Sequence, residues 1–476
     1  MRKWSFLLLL LLAGIGPVQA QNPRPGSPGI GDPYLPTMGN GGYDAQHYDL
    51  NLDVDFDARQ IAGTVMIDAL ATQDLSVFNL DFSGFEIRDL QVNEEEARYV
   101  RQNRELRITP PEPLLDGQAF TVTITYQGVP GQGLPPGDSF SRGWNWYDGG
   151  VYVASEPVGA SGWYPVNDHP LDKATYAFEI TVPKPYIVAT NGLLKETVDE
   201  GDSVTYRSGT DYPLASYLVA VNIADFSEQT EVGPDGLIIR NYFPAHLAEA
   251  AAPVFADTDE MLAFYVDTFG PYPFEAYGVA VADTPLFFAL ETQTLTLFGA
   301  QVVPGAVEGV IPRQNNTETV IAHELAHQWF GNSVSPASWK DIWLNEGFAS
   351  YASALWMEYQ HGPEAFDEMM RFFYGNLVNR SYRPGDPRDD GLFSTGVYQQ
   401  GAWVLHALRL QVGDDVFFDI LRTYAARFQY RNASTDDFIA LAEAVSGQTL
   451  GDLFDAWLFK GGVPPVPEMG LGVGDH

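Results

Sequence analysis

The sequence predicts an α+β protein of more than one domain, in which an all-β, sandwich-like domain precedes a mainly helical one. Between about 43 and 230, apolar and polar residues alternate in short runs that turn residues separate, as is typical of half-buried strands. From about 240 the apolar residues recur with a helical period. The 476 residues are enough to bury two hydrophobic cores.

The first 20 residues have the composition of a signal peptide. Arg2 and Lys3 precede an apolar stretch at residues 4–15, and Val-Gln-Ala at 18–20 has the small residues of a cleavage site. We expect cleavage before Gln21 and a secreted or periplasmic protein. An uncleaved anchor is the alternative, although the stretch is too short to span a bilayer. No later run reaches transmembrane length, so we expect no membrane span in the mature chain.

The composition excludes several kinds of site and partner. Because the chain contains no cysteine, it forms no disulfide and offers no thiolate to a metal. Its formal charge of −36 argues against binding to nucleic acid or to anionic lipid. This acidity is compatible with a cationic ligand such as a free α-amine, but net charge alone does not establish one.

The β-domain is predicted for residues 43–230. Residues 21–42 before it are rich in proline and glycine, which predicts a flexible leader. The first strand lies around Tyr48–Phe56, where apolar residues alternate with Asp and Asn, and the pattern recurs at Phe120–Tyr126 and Tyr176–Val182.

The helical domain is predicted for residues 231–465, and a glycine-rich tail for 466–476. Ser434 and Asp437 predict a capping box at the start of one of its helices. The periodicity predicts further elements, namely helices at 247–264, 317–330, 339–360 and 398–410, a Thr-rich strand at 287–298, and an apolar segment at 453–459.

The segment 317–330 contains the motif H-E-x-x-H, with histidines at 323 and 327. On a helix, His323 and His327 project from one face about one turn apart, which suits two nitrogen ligands of one tetrahedral Zn²⁺. Glu346 follows after 18 residues as the candidate third ligand, which leaves a fourth position open. Glu324 lies where its carboxylate can reach water at the metal. The alternative is an amphipathic helix with two hydrogen-bonded histidines.

These motifs resemble those of the aminopeptidase N-type gluzincin family, which includes the leukotriene hydrolases. HELAHQWFG at 323–331 and WLNEGFA at 343–349 match its zinc signature. ALETQ at 289–293 is similar to its exopeptidase strand, and YQQGA at 398–402 to the segment that carries its catalytic tyrosine. WYPVNDHP at 163–170 resembles a landmark of its β-domain. The resemblance covers roughly 43–465.

The resemblance implies a thermolysin-like catalytic domain and an exported aminopeptidase whose substrates are peptides with a free N-terminus. It implies one Zn²⁺ per chain, held by His323, His327 and Glu346. It also implies that Glu324 is the general base and that Tyr398 stabilises the oxyanion. The alternative for Tyr398 is a core tyrosine on an amphipathic helix.

For recognition of the substrate α-ammonium, the resemblance implies Glu291, together with Ala289 on the same segment. Glu156 from the β-domain is a candidate second contact. Because Glu291 and Gln293 alternate, we expect both on the side of the strand that faces the cleft. The alternatives are a solvent-facing strand carboxylate for Glu291 and a surface-loop acid for Glu156.

Further residues are predicted with less specific roles. Asn332, Asp341 and Asn345 are candidate partners of the zinc ligands, or ordinary capping and surface residues. The remaining histidines lack metal spacing and are interpreted as structural. The chain departs from the family pattern at Phe288, Thr292, Gln400 and Glu156, where many members have Gly, Asn, Lys and Gln.

Three other functions remain open on this pattern. They are a zinc endopeptidase of the same fold, an epoxide hydrolase, and a peptide-binding protein that has kept the zincin fold without catalysis. The sequence also shows no segment matching the helical C-terminal domain that caps the cleft in large family members. We therefore expect an open cleft, unless a second subunit or the leader at 21–42 covers it, and similar kcat/KM for short and long peptides that have a free N-terminus.

Overall fold

The structure is a computed structural model that describes residues 22–102, 104–131, 141–309 and 314–472. The signal peptide predicted for residues 1–20 lies outside the described residues. Within them, none of the helices combines the length and the hydropathy needed to cross a bilayer. A β-rich domain comes first and a helical domain follows, as the sequence predicts.

The described part of the first domain contains three sheets. Its strands are β1 (Arg24–Pro25), β2 (Tyr43–Asp55), β3 (Gln60–Ala71), β4 (Leu75–Asp81), β5 (Glu86–Val92), β6 (Glu95–Glu96), β7 (Arg98–Gln102), β8 (Glu105–Thr109), β9 (Ala119–Gly128), β10 (Ser141–Tyr147), β11 (Gly150–Ser155), β12 (Ala174–Pro183), β13 (Ile187–Thr190), β14 (Leu193–Asp199), β15 (Ser203–Leu214) and β16 (Val221–Ala224).

The largest sheet has the strand order β14-β15-β12-β2-β3-β9-β5-β6. The smaller sheets have the orders β1-β4-β8-β7 and β10-β11-β16-β13. Along β2 the apolar side chains are buried and the acidic ones lie outward, because successive residues of a strand face opposite sides. Tyr48 pairs with Tyr176 of β12, and their rings stack 4.9 Å apart within the core.

Residues 22–42 are packed against both domains, so the prediction of a flexible leader is wrong. β1 pairs with β4, and Met38 is 2% exposed. The buried carboxylate of Asp32 accepts hydrogen bonds from the backbone N–H of Trp339 at 2.8 Å and from Ser338 Oγ at 2.9 Å, and it lies 3.1 Å from His169 Nε2. The proline-rich segment is therefore irregular but anchored where the two domains meet.

The second domain begins earlier than predicted, because its first strand, β17 (Phe226–Val232), pairs with β18 (Ile238–Pro244). Its sheet has the strand order β17-β18-β19-β20. The predicted boundary at 230 thus falls inside a strand. The strands are β17 (Phe226–Val232), β18 (Ile238–Pro244), β19 (Ala276–Ala282), β20 (Thr296–Gly299), β21 (Ser335–Pro336) and β22 (Asn432–Ala433). The helices are α1 (Ala248–Ala251), α2 (Thr258–Phe269), α3 (Gln314–Ala326), α4 (Trp343–His361), α5 (Pro363–Leu377), α6 (Gly401–Val412), α7 (Asp414–Arg427), α8 (Thr435–Ser446) and α9 (Gly451–Phe454).

Helices α3 and α4 lie against each other and carry the H-E-x-x-H motif and Glu346. α3 ends at Ala326, so His327 lies in the turn that follows. Its backbone N–H still bonds to the carbonyl of His323 at 3.3 Å, which keeps the two histidines at helical spacing. The position of the motif therefore matches the prediction, although the helix begins three residues and ends four residues earlier than predicted.

Other predicted helices are confirmed in part. The segment 247–264 is broken into α1, a 3₁₀ turn at Ala252–Phe255 and α2, because Pro253 cannot donate a helical hydrogen bond. Ser434 and Asp437 form the predicted capping box, in which Ser434 Oγ accepts from the Asp437 N–H at 3.2 Å.

Candidate active site

A cleft of about 480 Å³ lies where helices α3, α4 and α5 face the β-domain. The β-domain contributes Glu156, which directly follows β11, to the wall of the cleft. The eight residues predicted for the site all line this cleft, namely Glu156, Ala289, Glu291, His323, Glu324, His327, Glu346 and Tyr398. The structure thus gathers residues that are spread from position 156 to position 398 of the chain.

The histidines and Glu346 present three ligand atoms to one point. His323 Nε2 lies 3.1 Å from His327 Nε2 and 3.2 Å from Glu346 Oε2. His327 Nε2 and Glu346 Oε2 are 3.4 Å apart. A tetrahedral zinc with bonds of about 2.0–2.1 Å separates its ligands by about 3.3 Å, so the three atoms fit Zn²⁺. His327 Nδ1 lies 3.0 Å from the carbonyl of Phe330 and can donate to it, which leaves Nε2 free as the ligand atom.

Two overlapping groups of side chains could also surround a cation, namely Glu291 with Glu324 and His327, and Glu156 with Glu291 and Glu346. The first faces Nδ1 of His327, which the Phe330 carbonyl already engages. The second contains no nitrogen ligand, whereas zinc prefers imidazole and carboxylate together. The set of His323, His327 and Glu346 is therefore the best zinc site of the three.

The turn after α3 passes close to the ligands because it contains a glycine. Gly331 has a φ of 127°, and a Cβ added there would lie 3.2 Å from both His327 Nδ1 and Asn345 Nδ2. A larger residue would therefore be strained and would crowd the ligand ring.

The cleft concentrates negative charge in a buried space. Glu156, Glu291, Glu324 and Glu346 are each at most 6% exposed, and none of the described residues that line the cleft is Lys or Arg. Burial raises the pKa of Glu156 well above its usual value, and the other three carboxylates raise it further. Burial alone would lower the pKa of His327, but Glu291 and Glu346 raise it to about 10. Such a site favours cations, both a metal ion and an ammonium group.

Glu324 extends into the cleft beside the two ligand histidines. It is 6% exposed, and its Oε2 has no hydrogen-bond partner among the described residues. Burial raises the pKa of its carboxyl well above the usual value; Glu291 and Glu346 add to this rise, and His327 opposes it. Its position beside both ligand histidines suits this carboxylate to accept a proton.

Tyr398 lies in one turn of π-helix, Gly396–Gln400, which leads into α6. Its ring lies parallel to that of His323, with centroids 5.8 Å apart and an angle of 15°. Burial raises the pKa of the phenol well above 10, and the carboxylates of Glu346 and Glu156 raise it further. The hydroxyl therefore stays protonated and can act as a hydrogen-bond donor.

The segment around Glu291 is a buried turn, so the strand predicted at 287–298 is confirmed only at its end, where β20 includes 296–298. Leu290 pairs with Leu297 in an isolated bridge, and β20 begins only at Thr296. Thr294 has a left-handed φ of 65°, which ends the extended run. The turn directs Glu291 inward, with Oε1 4.0 Å from His327 Nδ1. Gln293 is fully buried outside the cleft, so the predicted shared face is wrong.

The predicted partners of the zinc ligands contact other groups. Asn332 donates to the backbone carbonyl of Glu291, Asn345 donates to the hydroxyl of Tyr217, and Asp341 accepts from the N–H and hydroxyl of Thr435. The group that orients His327 is a backbone carbonyl, which carries no signal in the sequence. Asp341 instead joins α8 to the turn before α4.

The departures from the family pattern have individual explanations. The ring of Phe288 lines the cleft, and the hydroxyl of Thr292 donates to the carbonyl of Leu295 within the turn. Gln400 is buried and donates to the carbonyl of Trp457 at 2.7 Å, so it ties the start of α6 to the segment after α9. Gln400 thus has a packing role away from the cleft.

Other described histidines contact groups outside the cleft. His47 lies 2.7 Å from Thr175 Oγ1, His361 lies 3.2 Å from Glu318, and His406 lies 3.2 Å from the hydroxyl of Tyr351. These contacts agree with the structural interpretation. His476 lies outside the described residues.

Comparison with known proteins identifies a protein family over most of the chain. The family model described as the peptidase family M1 domain matches residues 254–457, and that of the peptidase M1 N-terminal domain matches 44–218. An M1 zinc metallopeptidase of Deinococcus radiodurans, known from its crystal structure, is 33% identical. The alignment covers 92% of this chain and 98% of that one, with a TM-score of 0.81. The chain belongs to peptidase family M1.

Two more distant relatives are named as aminopeptidases. Leucine aminopeptidase 2 of Coccidioides immitis is 25% identical over 89% of this chain and 72% of its own length. Aminopeptidase M1 of Arabidopsis thaliana is 26% identical over 92% of this chain, which spans 52% of that relative. A mutant of the Deinococcus M1 enzyme was crystallised with the substrate Tyr-Ser-Ala, and it matches with a TM-score of 0.83. Membership of M1 makes this protein a zinc metallopeptidase.

Proposed function

We propose that this M1 protein removes single residues from peptides that have a free N-terminus. The observation that carries the proposal is the buried carboxylate of Glu291, whose Oε1 lies 4.0 Å from the ring of a metal-ligand histidine. One extended residue spans about 3.3–3.6 Å. A peptide whose α-ammonium contacts Glu291 therefore brings its first carbonyl toward the metal ligands.

His323, His327 and Glu346 would hold one Zn²⁺ per chain. When bound, the ion supplies a Lewis acid that polarises a carbonyl and lowers the pKa of water. Glu324 accepts the proton of the attacking water and passes it to the leaving amine. Its unpaired Oε2 leaves this carboxylate free for both transfers.

Tyr398 donates its hydroxyl hydrogen to the carbonyl oxygen as negative charge develops there. The turn at Gly396–Gln400 holds the ring beside His323, so the donor and the metal ligands face the same space. Because burial keeps the phenol protonated, the donor is available across the neutral pH range.

The substrate ammonium is bound by Glu291 and Glu156. The two carboxylates come within 4.8 Å of each other, although Glu156 belongs to the other domain. Oε1 of each has no hydrogen-bond partner among the described residues. A buried acceptor without a partner costs free energy, and an ammonium group satisfies both at once.

The same arrangement weighs against an endopeptidase. An endopeptidase substrate has further residues on the N-terminal side of the residue beside Glu291. It would therefore place a neutral amide, not an ammonium, beside two buried carboxylates. It also weighs against a protein without catalysis, because peptide binding alone does not require Glu324 and Tyr398 beside the metal ligands.

Removal of the metal and blocking of the substrate amine test the proposal together. We expect a chelator to abolish hydrolysis of aminoacyl anilides, and one equivalent of Zn²⁺ per chain to restore it. N-acetylation of the same substrates should reduce kcat/KM by at least about a hundredfold, since a charged contact is lost. Equal rates on blocked and free substrates, or activity that survives metal removal, would contradict the proposal.

Glu291→Ala should weaken transition-state binding of free-amine substrates by about 2–3 kcal/mol, because a charge-assisted contact is removed. The slow hydrolysis of N-acetylated substrates should change little. The measurement is kcat/KM for both substrates, with Glu105→Ala as the control, because Glu105 is a partly buried carboxylate in the β-domain. Equal losses on both substrates would remove Glu291 from amine recognition and favour an endopeptidase.

A further inference from the structure

We infer that Gln328 is a positioning residue for amine recognition, because it fixes the turn that carries Glu291 to the segment that carries the zinc ligands. Gln328 directly follows His327 in the chain. The inference rests on the proposed function, since it concerns how the ammonium-binding carboxylate is held at its distance from the metal ligands.

The side-chain amide of Gln328 uses both of its ends on this turn. Its Nε2 donates to the backbone carbonyl of Glu291 at 3.2 Å, and its Oε1 accepts from the backbone N–H of Thr294 at 2.9 Å. The hydroxyl of Tyr272 approaches the same oxygen at 3.5 Å. Gln328 is fully buried, so no water competes for these contacts. One side chain thus holds the two ends of the turn together.

Asn332 reinforces the same connection. Its Nδ2 donates to the carbonyl of Glu291 at 2.6 Å, and its backbone N–H bonds to the carbonyl of His327 at 3.0 Å. The carbonyl of Glu291 therefore receives two amide donors, and both come from the short segment after a zinc ligand. Two donors on one acceptor restrict movement of the turn along the zinc helix more than one donor would.

The β-domain holds the opposite side of the turn. Asn191 Nδ2 donates to the carbonyl of Gln293 at 2.6 Å, and the N–H of Gly192 bonds to Thr294 Oγ1 at 2.8 Å. These contacts satisfy backbone groups that burial would otherwise leave unpaired. They fix the turn relative to the β-domain, whereas Gln328 and Asn332 fix it relative to the metal ligands.

The carboxylate of Glu291 depends on this support, because its Oε1 has no hydrogen-bond partner among the described residues. Its place relative to His327 is therefore set by the backbone of the turn. A shift of about 1 Å between a bound substrate group and the reacting centre can reduce the rate by about a hundredfold. Loss of the Gln328 contacts should thus impair recognition of the amine and leave the metal site intact.

The test uses Gln328→Met, which keeps an unbranched side chain of similar length and removes both hydrogen bonds. The readout is a ratio of two inhibition constants. The constant for the hydroxamate without its α-amine is divided by the constant for leucine hydroxamate, so a large ratio means a strong preference for the amine. We expect the wild-type protein to bind the free-amine compound much more tightly. In Gln328→Met this preference should fall about tenfold, while zinc content and binding of the amine-free hydroxamate stay unchanged.

Two further variants keep the test decisive. Asn332→Ala removes the second donor to the Glu291 carbonyl and should also lower the preference for the amine. Asn79→Ala removes a buried amide of the β-domain, whose Nδ2 contacts the Gly26 carbonyl at 3.4 Å, and should leave the preference unchanged. If Gln328→Met does not fold, Asn332→Ala carries the test.

The outcomes are distinct. An unchanged amine preference in the folded Gln328 or Asn332 variants would overturn the inference. Equal weakening of both hydroxamates with loss of zinc would also overturn it, because Gln328 would then support the metal site. If the wild-type protein shows no preference for the free amine, the proposed function itself fails.

Discussion

Glu324→Gln is expected to lower kcat by about a thousandfold while the protein keeps its zinc. The substitution preserves the size of the side chain, but the amide cannot accept the proton of the attacking water. General-base catalysis contributes about 10²- to 10⁴-fold, and here the same group also returns the proton to the leaving amine. The ligands His323, His327 and Glu346 are unchanged, so metal binding should persist.

The measurement is kcat on an aminoacyl anilide, with zinc content determined on the same sample. Glu318→Gln is the matched control, because Glu318 lies on the same helix but contacts Trp356 and His361 outside the metal ligands. The control should keep nearly normal kcat. A Glu324→Gln protein with near-normal turnover would show that another group accepts the proton.

Tyr398→Phe is expected to lower kcat by roughly a hundred- to a thousandfold, or about 3–4 kcal/mol. This is the usual cost of removing one donor that acts on an oxyanion. KM should change little, because the contact forms mainly in the transition state. The ring remains, so its packing against His323 and the metal content should be preserved.

The control for this variant is Tyr374→Phe, which also removes one hydroxyl from a buried tyrosine. That hydroxyl donates to the carbonyl of Pro464 at 3.1 Å, outside the cleft. Only a small loss of stability is expected from it. An unchanged kcat with a raised KM in Tyr398→Phe would indicate that the hydroxyl binds the ground state instead.

The sequence predicts those parts of the fold that depend on residues close together in the chain. The alternation in β2 and the helical spacing of His323 and His327 each depend on neighbouring residues, so both are visible without coordinates. The resemblance predicts that the cleft residues lie together. It can do so because the motifs at 289–293, 323–331 and 343–349 are short stretches that can be recognised in the sequence. Pattern and resemblance together thus predict the eight residues that line the cleft.

The structure differs from the sequence prediction where contacts between distant residues decide the conformation. The proline and glycine content of residues 22–42 suggests flexibility, but Asp32 bonds to Ser338 and Trp339, about 300 positions away in sequence. The threonines at 287–298 favour a strand, whereas the left-handed Thr294 and the amides of Gln328 and Asn332 impose a turn. Such hydrogen bonds to backbone groups leave no pattern in the sequence.

Identification of the first product released from a peptide tests the central claim most directly. A peptide of ten residues with a free N-terminus is incubated with the protein, and products are followed by mass spectrometry. We predict stepwise loss of single N-terminal residues, starting with the first, and cleavage at least about a hundredfold slower after N-acetylation of the same peptide. Internal cleavage as the first event, at similar rates on both peptides, would contradict assignment as an aminopeptidase.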